Sequence, residues 1–441
     1  MWAAEWAEHV PGETGDPRSS VGAVTGTQRE FDIVVYGATG FVGKLTAEYL
    51  ARAGGEARIA LAGRSADKLA KARESLGAAA QSWPLVEADA SSPSTLDAMA
   101  ARTQVVITTV GPYTRYGLPL VAACAAAGTD YADLTGEAMF VRDSIDQYHK
   151  QAADTGARIV HACGFDSIPS DLTAYALYRK VSEDGTGELG DTSFVLRRFA
   201  GGVSGGTAAS MLEVFDTASS DPEARRQLND PYTLSTDRAA EPELGPQPDL
   251  RWRRGRDIAP ELAGVWTAGF AMAPYNTRIV RRSNALLDWA YGSQFRYNET
   301  MSMGSSIVAP AASALFTGVS IGTFGLASRY FRLLPRRLAQ RLVPKPGTGP
   351  SEKVRERGHY CAETYTTTTT GARYRATIAQ QGDPGYKATS VLLGECGLAL
   401  ALDRDALSDL HGVLTPAAAM GDALLARFPA AGVSLDTVRL A

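Results

Sequence analysis

The stretch Phe31–Gly43, FDIVVYGATGFVG, decides the fold. Phe31–Tyr36 is a short apolar run rich in β-branched residues, as expected of a parallel strand buried on both faces. It runs directly into Gly37, Ala38, Thr39, Gly40, Phe41, Val42 and Gly43. An amphipathic helical stretch, Lys44–Ala53, follows and stops at Gly54-Gly55. Strand, glycine turn and helix therefore stand in the order that a dinucleotide-binding unit needs. In such a unit Gly37 permits the tight turn, Gly40 lets backbone approach a pyrophosphate, and Gly43 lets the helix pack on the strand. The N–H groups of the first helical turn then face the phosphates. The spacing is G-x-x-G-x-x-G, not the more familiar G-x-G-x-x-G. Three glycines alone say little; the flanking strand and helix carry the reading.

Working outward, Arg58–Ala62 (RIALA) reads as the second strand and leads into Gly63-Arg64-Ser65. An NAD site normally ends this strand with Asp or Glu on the ribose 2′-hydroxyl, whereas a guanidinium suits a 2′-phosphate. The expected cofactor is therefore NADP, with Arg64 as discriminator and Ser65 assisting; the plainer reading of Arg64 is a solvated surface cation. Trp83–Ala88 ends at Asp89, a candidate for the adenine edge. Val105–Val110 (VVITTV) ends in Gly111-Pro112-Tyr113, where Pro112 brings backbone to the cofactor without a competing N–H. Ser94–Arg102 and Leu118–Ala127 read as helices, Asp130–Asp133 and Arg158–Ala162 as strands. This alternation predicts an α/β fold, a Rossmann-type doubly wound parallel sheet.

Composition bounds what else the chain can be. Its 441 residues carry 44 Lys+Arg against 48 Asp+Glu, a formal charge of −4 that lacks the basic footprint of a nucleic-acid binder. Cys124, Cys163, Cys361 and Cys396 lie far apart without a C-x-x-C pair. No metal site or disulfide framework is expected, and a reducing, cytoplasmic setting is. Residues 1–29 are polar and lack the apolar run of a signal peptide, so they read as a disordered leader, with Val24 a candidate start. The domain expectation is 30–168 for the nucleotide domain, 169–414 for a second domain, and 415–441 for a closing helix and tail. Thr415-Pro416 supplies that helix with an N-cap and a first-turn proline.

Several strings coincide: GATGFVG, AGRS, TVGPY, YADLTGE, Gly164–Asp171 (GFDSIPSD), SGGT at Ser204–Thr207, DPGY at Asp383–Tyr386 with Glu395 following, and LTPAAAMGDALL. Together they resemble the saccharopine dehydrogenase-like oxidoreductases, most closely the trans-acting enoyl reductase branch of mycobacteria and related actinobacteria. GFDSIPSD is the most specific of these strings. The resemblance implies a second, mixed α/β (α+β) domain for substrate and dimer contacts, and a homodimer. It also implies reduction by NADPH of a carbon–carbon double bond in an acyl or polyketide lipid intermediate, delivered by a polyketide synthase. Local patterns agree: Thr192–Phe199 alternates as a strand, Gly205-Gly206-Thr207 opens a helix through Ser219, and His359–Thr370 with Ala372–Gln381 reads as a hairpin around Gly371. Asp221–Arg256, rich in Pro and charge, reads as a surface excursion or lid. One rival is a C–N oxidoreductase on an amino-acid-derived imine, for which Arg197-Arg198 is the only obvious carboxylate-binding cluster. Another is a lipid-associated protein that holds NADP for structure alone.

No Tyr-x-x-x-Lys pair in the short-chain-reductase position, H-E-x-x-H or G-x-S-x-G string is present. Candidate polar groups at strand ends facing the nicotinamide are Tyr113, Asp133, Glu137, Asp166 and Ser167, of which Tyr113, Asp166 and Ser167 are the catalytic candidates. Each has a plainer alternative: Tyr113 as packing, Asp166-Ser167 as a helix cap. His161 reads as a satisfied core histidine and Glu395 as a buried anchor. One stretch stands apart. Thr300–Ser328 holds no charge and is followed by Arg329, Arg332, Arg336, Arg337, Arg341 and Lys345. A buried helix pair is one reading; peripheral contact at the inner face of the plasma membrane is another, and a bilayer span a third.

Overall fold

A computed structural model describes residues 29–202, 214, 216–235, 240–330 and 349–441. Residues 1–28 of the expected leader, the SGGT string and the cations from Arg332 to Lys345 lie outside the described residues. Six apolar runs build the first sheet: β1 (Phe31–Tyr36), β2 (Ile59–Gly63), β3 (Leu85–Glu87), β4 (Thr103–Thr108), β5 (Asp130–Ala132) and β6 (Arg158–Val160). They are parallel and ordered β6-β5-β4-β1-β2-β3. The order reverses between β4 and β1, so a crevice opens beyond their carboxyl ends. Helices α1 (Phe41–Ala53), α2 (Ala66–Ser75), α3 (Pro93–Ala101), α4 (Tyr113–Tyr116), α5 (Leu118–Ala127) and α6 (Ala138–Thr155) connect the strands. Helices α3, α5 and α6 pack together on one face.

Helix α7 (Ile168–Glu183) leads into the second domain. Its strands are β7 (Leu189–Ala200), β8 (Arg253–Arg254), β9 (Trp266–Gly269), β10 (Arg296–Gly304), β11 (His359–Thr368) and β12 (Arg373–Gln381). The expected hairpin is present as β11 and β12, and only β7 and β10 run parallel within this sheet. The chain then departs from the expected boundaries. Helix Thr389–Leu402 packs against α1 and β4, and β13 (Gly412–Leu414) pairs in parallel with β6 as the seventh strand of the first sheet. The boundary expected at residue 168 leaves both elements out of the sheet that they complete. The expected tail also holds a strand: β14 (Val433–Arg439) pairs with β12. A three-residue strand such as β13 is too short for a period to register. Helix Pro416–Arg427 starts as expected, with the Thr415 hydroxyl accepting from the Ala418 N–H.

One apolar core runs from the inner face of the first sheet (Ile33, Val35, Ile107) through Leu392 and Leu398 to Tyr360 and Ile378 of the second. The Asp221–Arg256 excursion is strapped down. Arg278 donates to the Leu228 carbonyl at 2.8 Å and pairs with Asp249 at 2.6 Å, and Arg142 donates to the Thr233 carbonyl at 2.6 Å. Arg282, fully buried, donates to the carbonyls of Leu234 and Val413. Guanidiniums thus satisfy backbone that no sheet or helix pairs.

Candidate functional site

The glycine turn sits at the carboxyl end of β1. Gly37 has a φ of +89°, and a Cβ there would lie 2.8 Å from Val110 Cγ2 and 2.9 Å from Thr109 Oγ1. A Cβ on Gly43 would fall 2.2 Å from the Gly37 carbonyl oxygen, a backbone atom with no room to yield. Gly43 therefore allows α1 to approach the turn itself, where the sequence reading had it approach the strand. Gly40 donates its N–H to Gly37 O at 2.9 Å and would tolerate a Cβ better, at 3.2 Å from that oxygen. It is also the N-cap of α1, and no side chain caps the helix there. The first-turn N–H groups of Phe41, Val42 and Gly43 point at the crevice mouth, where a helix start favours an anion. Ala38 is buried beneath the turn while Thr39 and Gly40 are exposed on it. The Phe41 ring does separate work. It packs edge-on against Tyr386 of DPGY (5.0 Å between centroids, 78°) beneath the Arg355 guanidinium, tying the turn to the second domain.

Arg64 is exposed just beyond β2, and Asp89 lies beyond the end of the neighbouring β3. Ser65 caps α2, its hydroxyl accepting from the Lys68 N–H at 3.4 Å. Asp89 Oδ1 accepts from both the N–H (2.9 Å) and the hydroxyl (2.8 Å) of Ser91. Those bonds, with the nearby Arg64 charge, hold its carboxyl below the ordinary range. A helix start and an exposed guanidinium side by side make a phosphate seat. The cradle that a Cβ would fill, the uncapped helix start and Arg64 all fit NADP.

The groups after β4, β5 and β6 divide sharply. Tyr113 is buried against Phe140, and its hydroxyl is already committed, donating to Thr108 O and accepting from the Leu134 N–H, both at 3.2 Å. Both bonds engage the hydroxyl in bracing the Gly111-Pro112 turn, in keeping with the packing alternative for Tyr113. Glu137 fastens that turn from the other side, accepting from the N–H groups of Tyr113 (3.0 Å) and Thr114 (2.7 Å). Asp133 accepts from Thr135 N, Ala162 N and Tyr131 OH and meets His161 Nδ1 at 2.7 Å, while His161 Nε2 meets Ser144 Oγ at 2.9 Å. His161 is the satisfied core histidine that the sequence suggests. Glu395 is likewise an anchor, accepting from Tyr49 and from Arg427.

Within GFDSIPSD, Ser167 occupies the N-cap position of α7 without making a capping bond. Its hydroxyl donates to Asn276 Oδ1 at 2.9 Å, and Asn276 in turn donates to Ser170 Oγ (3.3 Å) and Glu299 Oε2 (3.0 Å). Asp171 takes the Ala417 N–H at 2.8 Å and the Ser283 hydroxyl. Burial pushes the carboxyls of Asp171 and Glu299 each up to about 7. These groups tie α7 to the helices Ala273–Leu286 and Pro416–Arg427 and to β10, and the Ser167 hydroxyl is engaged there instead of in a capping bond. Asp166 alone of the motif's acids is only half-buried.

One residue was missed by sequence reasoning. Tyr275 opens the helix Ala273–Leu286, held over the turns after β5 and β6 by its neighbours. Asn276 bonds Ser167, and Met272 Cε lies 3.4 Å from the place of a Cβ on Gly136. The Tyr275 side chain is only 5% exposed, yet its hydroxyl has no hydrogen-bond partner among the described residues. Burial first, then the charges of Asp133, Glu137 and Asp166, push it well above the ordinary tyrosine range. It therefore remains a donor at any working pH. No string around APYN signals this; only the fold brings it over the turns after β5 and β6.

The saccharopine dehydrogenase NADP-binding domain family matches residues 33–160. A Mycobacterium tuberculosis protein assigned provisionally as a trans-acting enoyl reductase is 77% identical, covering 95% of this chain and 100% of its own. Trans-acting enoyl reductases of Mycobacterium bovis and Mycobacterium ulcerans are 70% and 67% identical, covering 94% and 95% of this chain and 99% and 100% of theirs. Among solved structures, a saccharopine dehydrogenase (L-Glu forming) from Saccharomyces cerevisiae shares the fold, with TM-score 0.53 and 14% identity over 93% of this chain and 99% of that one. With such identity along nearly its whole length, the chain belongs to the trans-acting enoyl reductase family and is an NADP-dependent oxidoreductase on a saccharopine dehydrogenase-like fold.

Proposed function

We propose that the protein reduces the carbon–carbon double bond of an enoyl thioester, acting in trans on an acyl or polyketide chain carried by a synthase. The observation that carries this reading is the crevice itself. It pairs an uncapped helix start and Arg64 for NADP with a buried, unpartnered Tyr275 hydroxyl. When bound, NADPH supplies the hydride for the β-carbon. The glycine turn and Arg64 hold and orient the cofactor. Tyr275 donates to the thioester carbonyl oxygen, which draws charge off the β-carbon as the bond is reduced. The proton at the α-carbon comes from water, since no other unengaged acid stands among the expected candidates. Replacing Tyr275 by Phe is expected to lower kcat about 100-fold with little change in NADPH affinity; an unchanged kcat removes Tyr275 from the site.

The imine-reducing rival loses support because Arg197, half of its carboxylate-binding cluster, is already paired with Glu363 at 2.5 Å. NADPH oxidation with a panel of enoyl thioesters, set against 2-oxo acids with amines, tests the reading. Turnover confined to the thioesters supports it, turnover confined to the imine-forming pairs overturns it, and tight NADPH binding with no oxidation favours a non-catalytic role. A homodimer through the half-exposed outer face of the second sheet belongs to the same proposal. So does residence in the cytoplasm, which suits four unpaired cysteines, with peripheral membrane contact.

A further inference from the structure

The uncharged stretch from Thr300 to Ser328 is divided by the fold. Its first residues complete β10, and Ala309–Tyr330 forms a helix lying against β9 and β10. Small side chains seat that helix. Ala309, Ser313 and Thr317, spaced four apart, are buried; the Ser313 hydroxyl donates to the Thr267 carbonyl, and the Gly269 N–H donates to Thr317 Oγ1 at 3.1 Å. Five large apolar side chains whose surroundings are described face the other way. Ile307 and Val308, in the turn before the helix, are 97% and 65% exposed, and Leu315, Phe316 and Val319 are 69%, 39% and 57% exposed. A helix on a water-facing surface has the opposite polarity.

We propose that this face rests on an anionic bilayer surface. Charge selects the occupant. Between Glu299 and Glu352 the sequence has no acidic residue, while Arg329, Arg332, Arg336, Arg337, Arg341 and Lys345 give that interval +6 in a chain of −4 overall. Apolar side chains followed at once by cations suit the boundary between acyl chains and anionic headgroups. No described helix is long and apolar enough to cross a membrane, so the contact is peripheral. This gives the peripheral contact proposed above a definite face, and the vesicle test does not depend on the reaction proposed at the crevice.

Sedimentation of the full chain with vesicles tests it, using phosphatidylglycerol mixed with phosphatidylcholine against phosphatidylcholine alone at low salt. Binding at least about tenfold stronger to the anionic vesicles is expected. The double substitution Leu315→Asp, Val319→Asp should lower that binding about tenfold or more, with NADPH affinity and Tm unchanged. Absence of wild-type binding overturns the proposal, as does equal binding by the variant. Loss of a wild-type dimer in the variant, without vesicle binding, gives the face to a second copy and also overturns it.

Discussion

The turn after β1 and the turn after β6 carry the two most distinctive strings in the chain, and they use their polar atoms in opposite ways. GATGFVG leaves the first-turn N–H groups of α1 without a side-chain cap, aimed at the crevice. GFDSIPSD turns its side chains inward: Ser167 and Ser170 bond Asn276, Asp171 bonds Ser283 and Ala417, and Phe165 donates its N–H to Thr389. One turn is built for a ligand and the other for joining helices to one another. A specific string can therefore report how a fold is assembled without marking its chemistry.

The sharpest way to break this comparison is at Gly43. A side chain there meets backbone at 2.2 Å, so Gly43→Val should lower NADPH affinity by at least about 100-fold and depress Tm. Gly40→Ala should keep Tm while still weakening NADPH, because only the bound phosphate needs that space. Fluorescence titration with thermal melts separates the two, and equal losses of Tm would break the account of the turn. Next comes Arg64→Ala, expected to reduce the NADPH-over-NADH preference in kcat/KM by about tenfold or more without touching stability. An unchanged ratio assigns the 2′-phosphate elsewhere.

At the other turn the expected readout is stability. Asn276→Ala strands Ser167 and Glu299 in a buried network and should cost ~1–3 kcal/mol in chemical denaturation, with NADPH affinity within about twofold. A loss of affinity at unchanged stability would move the network into the ligand site. The smallest effect is the pH dependence. The carboxyls of Asp171 and Glu299 sit near 7 in the fold, above their ordinary 3.8 and 4.5. The folded protein thus keeps protons that the unfolded chain releases from about pH 4 upward. Their contribution is greatest at the acid end and is lost as pH rises to about 7, by at most ~1.4 kcal/mol per pH unit for each group. Asp171→Asn should flatten part of that slope in Tm measured from pH 5 to 8.

Much of the first domain was legible because parallel strands are continuous apolar runs and glycine turns have a steric logic written in spacing. Arg64 could be placed because it directly follows a recognisable strand. The surroundings of Tyr113 and Ser167 were not legible for one reason: their positions beside strand ends could be read, but hydrogen-bond partners such as Leu134 N and Asn276 come from other segments. Tyr275 was invisible for the converse reason, since its place depends on a helix of the second domain folding over β5 and β6. The return of β13 to the first sheet is a long-range pairing made by three residues, with no local pattern to announce it.

The central claim, hydride delivery to an enoyl thioester at the β1–β4 crevice, is tested most directly with NADPH dideuterated at C4. The account predicts one deuterium on the β-carbon of the saturated thioester, found by mass spectrometry and NMR. Cofactor oxidation that leaves no deuterium there, or that places it on the imine carbon formed from a 2-oxo acid and an amine, would contradict it.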